Sequence, residues 1–208
     1  MYKKLSVLLV VFFLLIVSAD RVPAAGLAGQ RDYSADMVIT TSHGTMNSKV
    51  YAKGPKQRME NKIEGKETIV ISRFDKKIAW MCMQEQMMCM EMALNMQKED
   101  IQSRLNDPNV KVEKEFIGNE TVEGHATKKY HVTVLRDGKK ESSGFLWEAS
   151  DLQNFPVKYQ SEDKETTILW KNISFGGVSD SLFEIPKGYE KMDMKMPGLG
   201  DMFRRKQR

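Results

Sequence analysis

Two short apolar runs rich in methionine, separated by three polar residues, constrain the fold more than any other part of this chain. They lie within residues 78–94, which contain six of the fifteen methionines and both cysteines. Gln84, Glu85 and Gln86 stand between the runs, an arrangement typical of a β-hairpin. The segment is therefore predicted to form two antiparallel strands.

A two-residue turn at Glu85 and Gln86 sets the register of this hairpin. Side chains alternate between the two faces of a strand, so Trp80, Cys82, Met87 and Cys89 are predicted to share one face of the ribbon. The opposite face carries five methionines, which we call the methionine wall: Met81, Met83, Met88, Met90 and Met92.

Cys82 and Cys89 stand opposite each other in this register and are predicted to form a disulfide. Directly opposed Cα atoms in a non-hydrogen-bonded pair lie about 4.5 Å apart, which is within reach of a disulfide. The spacing of the two cysteines, with no histidine nearby, does not fit a zinc site, so no metal ligand is assigned.

Three interpretations of the methionine wall remain open from the sequence. Methionine is unbranched and polarizable, so it can fill a core or form a pliable surface for apolar guests such as acyl chains. Thioether and thiolate sulfurs also suit Cu(I), which would give a soft-metal site drawing on the methionines together with Cys82 and Cys89.

The two ends of the chain differ in composition from the rest. Residues 1–25 have the pattern of a signal peptide, with Lys3 and Lys4 before an apolar stretch at residues 5–17. Residues 193–208 end in a basic cluster and are predicted to be a disordered tail. The mature protein is therefore expected to be exported, soluble and periplasmic, with one domain at residues 32–192.

Between these ends, alternating apolar residues and short turns predict about eleven strands. The expected fold class is mainly β (α+β), a curved antiparallel sheet or incomplete barrel. One short covering helix is predicted to begin near Asn95, where Ile101 and Leu105 lie four residues apart on one face. A helix of this length must dock on an apolar surface, and the methionine wall is the nearest one.

Four short sequence segments, taken in order, resemble those of a known family. They are residues 51–58 (YAKGPKQR), 74–80 (FDKKIAW), 147–158 (WEASDLQNFPVK) and 182–189 (LFEIPKGY), the last closing the final strand. This set resembles the LolA/LolB/LppX superfamily of exported lipoprotein and lipid carriers. The resemblance implies an incomplete β-barrel whose hydrophobic cavity holds acyl chains, and Arg58 falls where such carriers use a basic residue to engage cargo.

The leading functional hypothesis is a periplasmic carrier or sequestering protein for lipid or lipoprotein acyl chains. Its ligand-binding residues would be the methionine wall with Ile101 and Leu105, and Arg58 would engage cargo. The alternatives are a Cu(I)-binding protein that uses the methionine and cysteine hairpin, and an envelope sensor or interaction module.

Other classes of function find little support in the sequence. It contains no Gly-x-Ser-x-Gly elbow, no His-Glu-x-x-His and no phosphate-binding glycine loop. We therefore assign no catalytic residue and no cofactor. The formal net charge of +4 is dispersed rather than gathered into a basic stripe, which argues against nucleic-acid binding. A monomer with transient membrane contact is expected.

Overall fold

One open, curved sheet of twelve strands forms the body of the protein. The computed structural model describes residues 31–63, 65–94 and 110–193. The strands are β1 (Tyr33–Thr41), β2 (Gly44–Lys53), β3 (Lys56–Ile63), β4 (Lys66–Arg73), β5 (Ile78–Met83), β6 (Met88–Ala93), β7 (Val110–Val122), β8 (His125–Arg136), β9 (Lys139–Ala149), β10 (Phe155–Ser161), β11 (Thr167–Phe175) and β12 (Glu190–Asp193).

Three predicted features lie outside the described residues. They are the signal peptide, the covering helix with Ile101 and Leu105, and the basic tail beyond residue 193. No helix in the part of the chain that the structure describes is long and apolar enough to cross a bilayer.

Two antiparallel meanders, β1–β6 and β7–β11, are joined into a single sheet by pairing of β1 with β11. The strand order is β12-β6-β5-β4-β3-β2-β1-β11-β10-β9-β8-β7. The predicted fold class is therefore confirmed, with two differences. There are twelve strands rather than about eleven, and β12 pairs with β6 in parallel, which makes the sheet mixed.

The main core lies where the two meanders meet. Along β1, Tyr33, Ala35, Met37 and Ile39 are buried in strict alternation with more exposed neighbours, the pattern of a strand with one apolar face. They pack in one cluster with residues of β9, β10 and β11, among them Leu146, Phe155, Tyr159, Ile168 and Trp170.

Residues 176–189, here called the strap, leave β11 and cross β1–β6 on the face that carries Cys82. Val178 and the fully buried Phe183 form a second core there with Ile71, Trp80, Cys82 and Cys89. The sequence predicted that residues 182–189 close a strand. Residues 182 and 183 instead belong to a short 3₁₀ turn at Asp180–Phe183, whose start is capped by the Ser179 side chain, and residues 184–189 lie in no strand. Pro186 lacks the N–H that a ladder would need.

Two buried arginines fix the strap to the sheet through its backbone. Arg58 Nη1 donates to the carbonyl of Leu182 at 3.1 Å, and Arg73 Nη1 donates to the carbonyl of Phe183 at 3.2 Å. Arg73 also forms a bidentate ion pair with Asp75, in which Nε donates to Oδ1 at 2.9 Å and Nη2 donates to Oδ2 at 2.7 Å. The guanidinium groups thus satisfy strap carbonyls that could not find ladder partners.

Asp180 at the start of the strap should make stability depend on pH. Hydrogen bonds from Lys53 and Lys56, at 2.9 and 2.7 Å, lower the pKa of Asp180 from its ordinary 3.8 to about 2. A lowered carboxyl pKa stabilises the fold above the unfolded value, and this contribution is lost as pH falls through the folded value. Asp180→Asn should therefore be less stable than the wild type near neutral pH, and the difference should shrink between about pH 4 and pH 2. Urea unfolding across this range measures it, and a constant difference would contradict the assignment.

Candidate ligand-binding face

The methionine hairpin has the register predicted from the sequence. Met81 pairs with Met90, Cys82 with Cys89 and Met83 with Met88. The turn is longer than the predicted two residues, because a 3₁₀ turn at Gln84–Gln86 is followed by Met87 in the left-handed region with φ 48°. Met87 lies in the loop and is 44% exposed, so it belongs to neither face.

The predicted disulfide between Cys82 and Cys89 is confirmed, and both residues are fully buried beneath the strap. Because neighbouring residues alternate faces, the cysteines point away from Met81 and Met90. A Cu(I) site that draws on both the cysteines and the methionine wall is therefore not assembled among the described residues of this hairpin.

Removing the disulfide should destabilise the hairpin measurably. The two cysteines are seven residues apart in sequence, and closing so small a ring in the unfolded chain gives about 2–3 kcal/mol on the chain-entropy model. The double variant Cys82→Ala, Cys89→Ala is expected to lose about this much free energy of unfolding. Urea denaturation with and without reductant measures it, and reductant should leave the double variant unaffected.

The methionine wall continues across the sheet as a wider surface, the methionine face, which is the side of β1–β6 that carries the wall. Strand pairing places one unbroken apolar row on it, running through six strands as Met90, Met81, Val70, Met59, Val50 and Ala35. In β12, Met192 pairs with Met90 and extends the row to a seventh strand.

Exposure changes steadily along this row. Ala35, Val50 and Met59 are buried, Val70 and Met81 nearly so, and Met90 is half-buried. Met192, at the sheet edge, is 40% exposed. The part of the methionine face that solvent reaches is therefore the part nearest β5, β6 and β12, where four residues of the predicted wall are half-buried: Met83, Met88, Met90 and Met92.

Charge is distributed very unequally between the two faces. Among the described residues of β1–β6, Lys66 is the one charged residue on the methionine face, and it lies at the margin with its Nζ 2.9 Å from Glu85. Glu190 of the edge strand β12 pairs with Met88. The strap face carries the buried Arg58 and Arg73. Of the two faces of β1–β6, the methionine face is therefore the one suited to an uncharged, apolar ligand.

Arg58, the predicted cargo-engaging residue, lies on the strap face. Its Nε donates to Glu60 at 2.8 Å, its Nη1 to Leu182, and it is buried. The structure thus brings the five methionines together and places Arg58 on the opposite side of the sheet. A role for Arg58 toward cargo stays a prediction, as do those of Ile101 and Leu105, which fall outside the described residues.

Sequence reasoning missed the part that Val50, Met59, Val70 and Met192 play in this surface. Apolar and polar residues alternate recognisably within each of these strands. The short turns between β2, β3 and β4 determine the pairing register, and the register decides which side chains share a face. Met192 had no comparable signal, because β12 reaches β6 through the long strap and a parallel pairing.

Comparison with solved structures supports the fold at low sequence identity. An uncharacterised conserved protein from Thermus thermophilus has a TM-score of 0.51 at 13% identity, covering 78% of this chain and 90% of that one. MucB has a TM-score of 0.50 at 11% identity, covering 80% of this chain and 62% of that one. The chain thus spans less than two thirds of the MucB structure.

The lipoprotein LppX of Mycobacterium tuberculosis is also similar, with a TM-score of 0.43 at 14% identity and with 74% of this chain and 89% of that chain covered. Structures described as a LolA superfamily protein and as LppX are thus among those that this chain is similar to, as the resemblance stated from the sequence led us to expect. No curated protein sequence matches this chain significantly.

A sequence profile of a protein family matches more than half of this chain. Residues 34–155, more than half of the 208-residue chain, match the family described as a domain of unknown function, DUF4412. The match runs from β1 to the start of β10 and includes the whole methionine hairpin. The protein belongs to the DUF4412 family.

Proposed function

We propose that the protein binds lipid, lipoprotein acyl chains or another hydrophobic molecule on its methionine face, as a monomeric carrier or sequestering protein of the periplasm. The observation that carries this proposal is the unbroken row of apolar side chains across seven strands, from Ala35 to Met192, with its open end formed by half-buried methionines. At its open end the row meets the half-buried Met83, Met88 and Met92, and a contiguous exposed apolar patch of this kind marks an interaction site on a soluble domain.

The driving force would be removal of the ligand's apolar surface from water. Each methylene group buried on the methionine face contributes about 0.8 kcal/mol. Methionine side chains reorient at low cost, so the face would accept acyl chains that differ in length or unsaturation. The strap supports this use, because it packs on the opposite face of β4–β6, so that the half-buried methionines lie on the face that the strap does not cover.

The proposed periplasmic location has separate support. Residues 1–25 have the composition of a signal peptide, and the Cys82–Cys89 disulfide suits an oxidising compartment. As a monomer the protein must protect its edge strands from pairing. Along β7, Lys111, Glu113, Lys114 and Glu115 are exposed charges of the kind that prevent edge association.

Titration with N-phenyl-1-naphthylamine, a neutral dye that fluoresces when it leaves water, tests the proposal. The delipidated protein is expected to give a saturable increase that added phospholipid reverses, and native mass spectrometry of the untreated protein should find a bound lipid. A flat titration together with a lipid-free mass would exclude the carrier function. Lysozyme at equal concentration controls for nonspecific dye binding.

A second candidate function, an interaction module for a partner protein, is favoured by one feature of the β7 edge. A bulge between Phe116 and Gly118 interrupts the pairing with β8, and Phe116 and Ile117 are 53% and 49% exposed there. A photo-crosslinking amino acid at position 117 should capture one defined partner in the periplasm if this function is correct. If no specific adduct forms, the β7 edge does not bind a partner protein and this second function is excluded.

A further inference from the structure

A row of polar side chains lies beside the apolar row on the methionine face. Strand pairing sets Met37, Ser48, Asn61, Thr68, Met83 and Met88 side by side across β1–β6. The three polar residues in the middle, Ser48, Asn61 and Thr68, are thus flanked by methionines at both ends. We call them the polar row.

Ser48 and Asn61 are nearly as buried as the apolar core. They are 6% and 3% exposed, and the Ser48 hydroxyl donates to Asn61 Oδ1 at 2.6 Å. Burying an amide in apolar surroundings costs free energy unless its hydrogen bonds are made. Within the described part of the chain, Ser48 is the hydrogen-bonding partner of the Asn61 amide, and the bond uses the amide oxygen.

The amide nitrogen of Asn61 therefore keeps two N–H groups that are not bonded to any described residue. Every fully buried side-chain nitrogen or oxygen among the described residues has a partner, so this NH₂ group is not completely enclosed by them. Thr68, next in the row, is half-buried and adds a hydroxyl. A pair that served only to align β2 with β3 would not need unused amide donors.

The chemistry of the row identifies the group that fits it. Two N–H donors and a hydroxyl suit an oxygen acceptor, such as a carbonyl. Lys66, which alone carries a charge on this face among the residues described in β1–β6, is bonded to Glu85 at the margin. A free carboxylate would therefore be buried here without a counter-charge, whereas the neutral carbonyl of an ester or amide would not.

We infer that the polar row binds the ester or amide carbonyl of an acylated ligand, while the acyl chain lies over the methionines. Neighbouring strands are about 4.8 Å apart, so Met83 and Met88 lie about 5 and 10 Å beyond Thr68, where the first part of such a chain would run. This inference rests on the proposed function and adds a ligand class to it, acylated lipids rather than free fatty acids.

A matched pair of ligands tests it. Monolaurin and 1-O-dodecylglycerol share a glycerol head and a twelve-carbon chain, and only monolaurin has a carbonyl. In displacement of N-phenyl-1-naphthylamine, monolaurin should bind about tenfold more tightly, as expected for one or two new hydrogen bonds. Asn61→Leu should abolish this preference without weakening binding of the ether, and Thr68→Val should reduce it. Asn47→Leu, the same change at an exposed site on the other face of β2, should leave it intact.

The outcomes separate the two levels of the proposal. Equal binding of ester and ether to the wild type, with the dye still bound, overturns the inference and leaves the hydrophobic-ligand function standing. A preference that survives in a folded Asn61→Leu also overturns it, because the carbonyl is then recognised elsewhere. If the dye itself does not bind, the proposed function fails and the inference falls with it.

Discussion

Replacing Phe183 by alanine is expected to lower the free energy of unfolding by about 3–5 kcal/mol, the range for truncation of a buried phenylalanine. Phe183 is fully buried and is the centre of the second core, which it forms with residues of β4, β5 and β6. Its loss leaves a cavity over the disulfide and weakens the connection that carries the chain from β11 to β12. Chemical denaturation of the purified variant measures the effect.

The control for this prediction is the same substitution at an exposed position. Phe116 is 53% exposed on the edge strand β7, and its ring contacts that of Tyr130 edge-on, so Phe116→Ala should lower stability by no more than about 1.5 kcal/mol. Similar losses for the two variants would show that the strap is not docked through Phe183. A stable Phe183→Ala protein with weakened dye binding would instead place the aromatic ring in the ligand site.

Placing a carboxylate in the open part of the methionine face should abolish most ligand binding. Met90 is half-buried between Met81 and Met192, so Met90→Glu would set a charge against the bound chain. Burying an unpaired charge costs several kcal/mol, and we expect the affinity for N-phenyl-1-naphthylamine to fall at least about tenfold. Met90→Leu keeps the apolar surface and should bind within about threefold of the wild type.

Met87→Glu provides the matched control for the charge itself. It introduces the same group into the same hairpin, but in the exposed turn and off both faces. Binding by this variant should equal that of the wild type. If Met87→Glu and Met90→Glu lose affinity equally, the effect is a general electrostatic one and the methionine face is not the site.

The hairpin could be predicted in detail because three local signals agree there. Apolar alternation predicted the faces, the polar residues 84–86 placed the turn, and the resulting register set Cys82 opposite Cys89, as a disulfide requires. The length of the turn was underestimated, since Met87 reads as part of a strand although it adopts a left-handed conformation in the loop.

The strap and β12 could not be predicted in the same way. Leu182, Phe183 and Ile185 resemble a strand by composition, and their position is set by distant partners, Arg58 and Arg73 among them. The capping pattern at Ser179 and the proline at position 186 were the available signals of a non-strand conformation. Likewise, Ser48 and Asn61 resemble ordinary surface residues of their strands until pairing sets them together on the apolar face.

Photolabelling with a diazirine-bearing acyl glycerol, competed by unlabelled monolaurin, shows where on the protein the acyl chain lies. Peptide mapping should find competable adducts on β5 and β6, at the half-buried methionines Met83, Met88, Met90 and Met92. Competable adducts confined to the β7 edge around Phe116 and Ile117, or to the strap face, would show that the acyl chain does not bind on the methionine face.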